Sequence, residues 1–298
     1  MRKIVFVVIF VCVILPLIIL LNADMMMWEV ENGSNKVYLL GSIHVMPEDV
    51  YPLDEQIEAA FEQSDILVVE LDPGKIDQAE MNNLIISTGF YPEETSLKEE
   101  IPEELYNSIV PKFQEMGMTE AQFSRFRPWF VSISLGMGAL QKLDIKAGKG
   151  IDMHFLDKAH EKQLTILDLE TPTAQMEALS SMQEDTQIDY LQYMIDDYDN
   201  INEGFNEMLT AWKTGDADLM NKSYRLKLKE MESEFPGIKE YYQKILPDRD
   251  KRMVEQIKVF LENEEELTYF IIVGAFHLVG DDGMLQLLND NGYTTKQF

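Results

Sequence analysis

Blocks of apolar and polar residues succeed one another along the chain, and their spacing reads as strands alternating with helices. Residues 4–21 form one unbroken apolar run behind Arg2 and Lys3. As a helix this run would be about 27 Å long, close to the hydrocarbon thickness of a bilayer. It has no polar face, so a buried soluble helix is the poorer reading. A secretory signal has a shorter apolar stretch and small residues before its cleavage site. Ala23 suits such a site, but Leu21 does not. The expectation is an N-terminal transmembrane helix over residues 1–21, with a cleaved signal of residues 1–23 as the alternative. Arg2 and Lys3 would remain in the cytoplasm, so that residues 24–298 lie outside it, either anchored to the cell membrane or secreted.

Beyond residue 25 the pattern changes. Two short strands flank the turn Asn32-Gly33-Ser34-Asn35, the second covering residues 36–40 and stopping at Gly41. Residues 54–63 carry helical spacing through Ile57, Ala60 and Phe61. The run Ile66-Leu67-Val68-Val69 reads as a buried strand, and Glu70 follows it directly. A helical region covers about residues 75–138, with breaks expected at Pro92, Pro102, Pro111 and Pro128. Residues 144–149 read as a short strand, 151–161 as a helix, and Leu164-Thr165-Ile166-Leu167 as a strand leading to Glu170. Residues 172–265 are polar, acidic and helix-forming, which suggests a helical insertion or lid. Tyr269-Phe270-Ile271-Ile272-Val273 is a further strand, stopped by Gly274. A helix at 282–288 and a strand near Tyr293 close the chain. The fold class expected is α/β, a mixed and partly parallel sheet flanked by helices.

Composition narrows the function. The 298 residues are 46% hydrophobic and 26% charged, ordinary for a globular protein. The formal charge is -28, and -30 once the two positive charges of Arg2 and Lys3 are set aside. A nucleic-acid binder needs basic residues against phosphates, so that class is excluded. Such acidity suits cationic ligands, metal ions or simple solubility, a solvated acidic surface being the plainest of these. The single cysteine, Cys12, lies inside the apolar run, and Val11 before it is too large for a usual lipoprotein cleavage site. The exported part therefore has neither disulfides nor thiolate metal ligands.

Candidate chemistry rests on a repeated pattern. Leu39-Leu40-Gly41-Ser42-Ile43-His44 and Ile272-Val273-Gly274-Ala275-Phe276-His277 each read as a strand, a glycine, a small residue, an apolar residue and a histidine. In a chain with 16 glycines one such match means little, but two of the four histidines show it. Histidines just beyond the carboxyl ends of strands stand where open α/β sheets place ligands, and two could converge on one ion. They could equally be hydrogen-bonded structural residues. Glu70 lies at a third strand end, as a metal ligand or general base. His154 is a candidate accessory residue near Asp152. His160 reads as a surface residue, since Leu164 replaces the second histidine of a His-Glu-x-x-His zinc motif. Arg249 reads as an anion-holding fork or an ordinary salt bridge, and Trp129 after Pro128 as core. The Gly-x-Ser-x-Gly elbow, the Walker phosphate loop and the Gly-x-Gly-x-x-Gly fingerprint are missing, which disfavours serine hydrolase, nucleotide hydrolase and dinucleotide oxidoreductase.

Gly-x-x-His near the N-terminus, an apolar strand ending in Glu70, and Gly274-Ala275-Phe276-His277-Leu278-Val279-Gly280 together resemble the TraB/GumN family. Pro128-Trp129, Gly150-Ile151-Asp152, Glu170 with Gln175, and Arg249 before a helix containing Met253 add to the likeness, which runs from about residue 25 to the C-terminus. Asp250 departs from it, since the family commonly shows asparagine there. The animal relatives, the Tiki proteins, are membrane-tethered metalloproteases that trim a secreted signalling protein. Bacterial relatives include the pheromone-shutdown proteins. The resemblance implies His44, Glu70 and His277 as metal ligands, with Glu70, Asp152 and Arg249 as catalytic residues and Glu170 in support. It implies a divalent ion of the manganese, cobalt, zinc or iron kind and a peptide or protein substrate. The expectation is a metal-dependent hydrolase of the Tiki-like metallopeptidase kind. The alternative is a non-catalytic protein that binds or sequesters a secreted peptide signal.

Overall fold

A computed structural model describes residues 24–141 and 150–298. Six strands form one sheet: β1 (Met27–Asn32), β2 (Asn35–Ser42), β3 (Ile66–Val69), β4 (Thr165–Asp168), β5 (Thr268–Gly274) and β6 (Thr295–Gln297). They lie in the order β4-β3-β5-β2-β1-β6. β4, β3, β5 and β2 are mutually parallel, while β1 runs antiparallel to both β2 and β6. The class is mixed α/β with a partly parallel sheet, as its sequence pattern predicts.

Burial explains the arrangement. Leu39, Leu40, Leu67, Val68 and the run from Tyr269 to Val273 are all at most 2% exposed, on both faces of their strands. A strand buried on both faces needs helices above and below, the usual setting of parallel strands. The β1–β2 hairpin closes through Gly33 at a φ of +62°, where glycine carries no steric penalty. One edge of the sheet is β6, three residues long and polar throughout, as an edge strand should be to discourage further pairing.

The main core joins the sheet to the helices Glu55–Glu62, Ile151–Lys162 and Pro247–Leu261. Each offers a helical stripe: Ile57, Ala60 and Phe61; Ile151, Phe155, Leu156 and Ala159; Met253, Val254, Ile257 and Leu261. The helix 247–261 thus seals the body of the fold, although it lies within the stretch that reads as an insertion. Phe205, Trp212 and Met220 from the same stretch also enter the main core. A second cluster packs residues 91–139 against Leu191 and Tyr198, and a third gathers Ala178, Leu228, Ile238, Tyr241 and Tyr242.

Three readings change. Pro111 does not break its helix but sits inside Glu103–Glu115, whose Leu105, Tyr106, Ile109 and Phe113 are buried. That burial outweighs the roughly 3 kcal/mol an interior proline costs. Gly41 lies within β2 rather than ending it, because a Cβ there would stand 2.8 Å from Met26 Cγ and 3.1 Å from Ala275 Cα. Glycine is needed for close approach, not for the turn. The C-terminal helix runs Met284–Asp290, two residues later than its pattern suggests. The expected strand at 144–149 and the apolar run at 4–21 lie outside the described residues. Among the described residues no helix is long and apolar enough to cross a membrane.

Candidate active site

Because β2, β5, β3 and β4 are parallel, their carboxyl ends meet on one side of the sheet, where an α/β fold places its ligands. His44 follows β2, His277 follows β5, Glu70 follows β3 and Glu170 follows β4. A pocket of about 170 Å³ opens there, lined among others by Ser42, His44, Glu70, Asp152, Gln175 and Gly274.

The outer part of the site is the pair His44–Asp152. Nδ1 of His44 is 3.3 Å from Asp152 Oδ2. Ser42 Oγ donates to Asp152 Oδ1 at 2.9 Å, and the Asp152 amide donates back to Ser42 Oγ at 3.3 Å. Asp152 stands in the first turn of its helix, whose free amides favour a carboxylate. Gly150 before it passes so close to the His44 carbonyl that a Cβ would be 2.4 Å from the oxygen. The His44 side chain is 67% exposed. Its hydrogen bond to Asp152 raises its pKa above the ordinary value, against the opposing pull of desolvation. Burial alone would raise the Asp152 carboxyl, but the bond and charge of His44 and the Ser42 hydroxyl bring it below the usual range.

The inner part is built around Glu70, which is 8% exposed. Its Oε1 accepts from the Gly274 amide at 2.6 Å. Its Oε2 accepts from Arg249 Nη2 at 2.7 Å and from Gln175 Nε2 at 3.2 Å. Arg249 forks onto Glu170, with Nε to Oε1 at 2.9 Å and Nη2 to Oε2 at 2.5 Å. Burial would raise the Glu70 pKa, but the charges of His277, Arg249 and His44 and the Gly274 amide outweigh it and hold it at about 2. The same pair of carboxylates raises the Arg249 pKa despite burial.

His277 follows Gly274 on the one-turn helix Ala275–Leu278 and is 4% exposed. Its Nδ1 lies 2.5 Å from Asp250 Oδ1, and its Nε2 lies 3.9 Å from Glu70 Oε1. It does not line the pocket itself. Asp250, at 0% exposure, uses its other oxygen to accept from Arg225 Nη1 at 2.9 Å.

The sequence candidates thus gather at one end of the sheet, in two groups. Glu70, Glu170, Arg249 and His277 form a buried network, while His44 and Asp152 form an exposed dyad beside it. His154 pairs instead with Glu58 at 2.9 Å and His160 lies 3.3 Å from the buried Asp72 Oδ2, both outside the pocket. Trp129 is core, 2% exposed. Ser42 and Arg225 are the participants that sequence reasoning passes over, and Asp250 enters it only as a departure from the family pattern, not as the partner of His277. Asp250 had a visible signal, a charge beside Arg249 on a helix with an apolar stripe. Arg225 had none, standing in a polar stretch.

The donor chemistry can be tested against a divalent metal. A carboxylate accepts and does not donate, so each histidine holds a proton on Nδ1, and only when the ring gives up its second proton is Nε2 free to bind a metal. That is the arrangement of metal-binding imidazoles, whose other nitrogen is held by a carboxylate. His44, on the pocket lining, fits, while His277 offers its Nε2 only toward Glu70, behind that lining. Glu70 retains lone-pair capacity on Oε1 but already shares its charge with Arg249. Among the described residues no three His, Cys, Asp or Glu side chains are disposed to hold an ion together.

A mixed α/β fold with histidines and a clamped glutamate at the ends of parallel strands defines the class. The profile of the TraB/PrgY/gumN family matches residues 26–297, and the chain belongs to that family. It is 26% identical over 256 residues to "Uncharacterized protein YbaP" of Escherichia coli (strain K12), covering 86% of this chain and 89% of that one. The YbaP protein of Shigella flexneri matches to the same extent. An uncharacterized protein of Treponema pallidum (strain Nichols) is 23% identical over 181 residues, 58% of this chain and 52% of its own length. No solved structure matches the chain significantly.

Proposed function

We propose that this protein is a metal-dependent hydrolase that cleaves peptides outside the cytoplasm, held to the membrane by residues 1–21. The observation that carries the reading is the pair of imidazole–carboxylate dyads, His44–Asp152 and His277–Asp250, at the ends of neighbouring parallel strands with Glu70 beside them. His44, His277 and Glu70 would hold a divalent ion, which when bound polarises a carbonyl and lowers the pKa of a water. Asp152 and Asp250 fix the two rings in one tautomer. Held as an anion by Arg249, Gln175 and the Gly274 amide, Glu70 is better suited to the part of ligand than to that of general base. Both Asp152 oxygens are engaged, so its part is to orient His44 as much as to accept a proton. The 170 Å³ pocket admits a side chain or a short peptide segment, not a folded domain.

The burial of His277 and the engagement of Glu70 by Arg249 favour a second reading, a binder of a secreted peptide with both histidines structural. Full-length protein, purified without a chelator or a histidine tag, separates the two when given a mixed peptide library. The hydrolase cleaves it, stops with EDTA, and recovers with manganese or cobalt. His44→Ala and His277→Ala each abolish turnover in folded protein, since two remaining ligands rarely hold an open catalytic ion. Wild-type cleavage by His44→Ala after chelation would sink the metal mechanism, and no cleavage by any preparation leaves the binder. Cell fractionation tests the anchor: a shortened form found mainly in the medium means a cleaved signal instead.

A further inference from the structure

The His277–Asp250 dyad does not end at Asp250. Behind it lies Arg225, a fully buried arginine at 0% exposure. Its Nη1 donates to Asp250 Oδ2 at 2.9 Å and to the Phe276 carbonyl at 2.8 Å, and its Nη2 donates to Asp282 Oδ1 at 2.6 Å. One planar fork therefore touches both the carboxylate that holds His277 and the backbone of the residue before it. Asp282 is in turn gripped by the Tyr242 hydroxyl at 2.8 Å and by Lys229 at 3.2 Å.

Two local features serve this placement. Arg225 belongs to a single π-helical turn, Lys222–Leu226, a rare form frequent at functional sites. The neighbouring Tyr224 stacks on Phe276 with ring centroids 4.6 Å apart, so consecutive residues of the turn clamp the His277 segment through its ring and its carbonyl. Opposite stands Gly280 at a φ of +89°. A Cβ there would lie 2.7 Å from Asn221 Oδ1 and 3.2 Å from Arg225 Nε. That Nε has no hydrogen-bond partner, so the guanidinium is not placed to satisfy all its donors. Its other face lies over Tyr242, 5.6 Å from the ring centroid.

We propose that Arg225 is a positioning residue for the active site, which acts through Asp250 to hold the Nδ1–H of His277 and so to aim its Nε2 at Glu70. The consequence for metal binding rests on the function proposed above, while the effect on the ring does not. Without the fork, Asp250 would be free to turn, and a neutral imidazole released from it settles into a mixture of tautomers. Lysine cannot substitute, because one ammonium cannot reach Asp250, the Phe276 carbonyl and Asp282 in one plane.

The test uses full-length protein labelled with ¹⁵N-histidine, its four rings resolved by long-range proton–nitrogen correlation and the His277 signals assigned by their loss in His277→Ala. At a pH high enough to leave the ring neutral, wild type should show His277 protonated on Nδ1, and a neutral wild-type ring protonated on Nε2 would overturn the proposal. Folded Arg225→Met should show both tautomers and bind cobalt at least about 10-fold more weakly. Arg225→Lys leaves a positive charge beside Asp250 and should fold even where Arg225→Met does not, with the tautomers still mixed. If folded Arg225→Lys or Arg225→Met retains the pure Nδ1–H form, Arg225 is only a structural ion pair and the proposal falls. If wild type binds no cobalt while the tautomer shifts, the positioning role stands and the metal-hydrolase reading fails.

Discussion

Replacing Arg249 by methionine should destabilise the protein strongly, and the loss should shrink in mild acid. Methionine approximates the arginine stem but leaves Glu70 and Glu170 without their shared cation. Their side chains are 10% and 2% exposed, so water cannot take its place. The fall of the Glu70 pKa from 4.5 to about 2 corresponds to about 3 kcal/mol of stability at neutral pH. Only part of this belongs to Arg249, since His277, His44 and the Gly274 amide contribute. The loss of the Glu170 fork adds to it, and removing one partner of a buried pair costs about 3–5 kcal/mol elsewhere. A loss of about 3 kcal/mol in urea unfolding at pH 7 is the expected result. The pH dependence separates this cause from lost packing. In wild type the Glu70 value is depressed, so its contribution is full above about 4.5 and fades only as pH falls toward 2. In the variant the buried Glu70 loses the Arg249 charge that offsets its desolvation, so its pKa rises above the wild-type value and its protonation in mild acid relieves part of the cost. The gap between the two proteins should narrow as pH drops from 7 toward 4.5. A loss under about 1 kcal/mol at pH 7, or one identical at pH 7 and 4.5, would refute the argument.

Two other substitutions test the frame. Gly41→Ala should cost about 1–3 kcal/mol, because its methyl meets the Ala275 backbone at the root of the His277 helix; an unchanged urea midpoint would show that the helix gives way freely. Burial opposes the ionisation of Glu58, but Lys158 and His154 hold its carboxyl below the usual value, so Glu58→Gln should cost about 1 kcal/mol at pH 7. That contribution is present above the unfolded value of about 4.5 and lost as pH falls through the lower folded one, so unfolding curves of the two proteins that still differ equally at pH 3 would contradict it.

How far the site could be read from sequence follows from how each residue is held. β2, β3 and β5 are buried on both faces, so they stand out as apolar runs, and residues at their ends are conspicuous. His44, Glu70 and His277 were visible for that reason. Asp152 and Arg249 stood out only through their resemblance to a family pattern, since their own helices alternate charge and apolar residues as surface helices do. Arg225 lies in Lys222-Ser223-Tyr224-Arg225-Leu226, which no periodicity marks as interior. Its burial comes from a π-turn and from partners 25 and 57 residues away, which local pattern does not encode. The apolar face of helix 247–261, through Val254, Ile257 and Leu261, is legible in the spacing, but its place is not: polar along most of its surface, the helix reads as part of an insertion, yet its four-residue stripe closes the sheet.

The two dyads share chemistry but differ in freedom, and the difference suits a division of labour on the proposed reading. His277 is fixed from behind by Asp250, itself fixed by Arg225, and Glu70 beside it receives three hydrogen bonds. Moving either would leave a buried charge unpaired, which is costly, so their relation to each other is rigid. His44 is two-thirds exposed and held at one nitrogen, so its ring can swing by rotamer change at small cost. On that reading, assembly of a three-donor site would fall to His44, approaching the fixed pair from the pocket. The anchoring of Asp152 by Ser42, on the same strand end as His44, limits how far that ring can stray. An inner pair set by the protein interior and an outer ligand set by a surface hydrogen bond would let a peptide enter between them without disturbing the buried ion network.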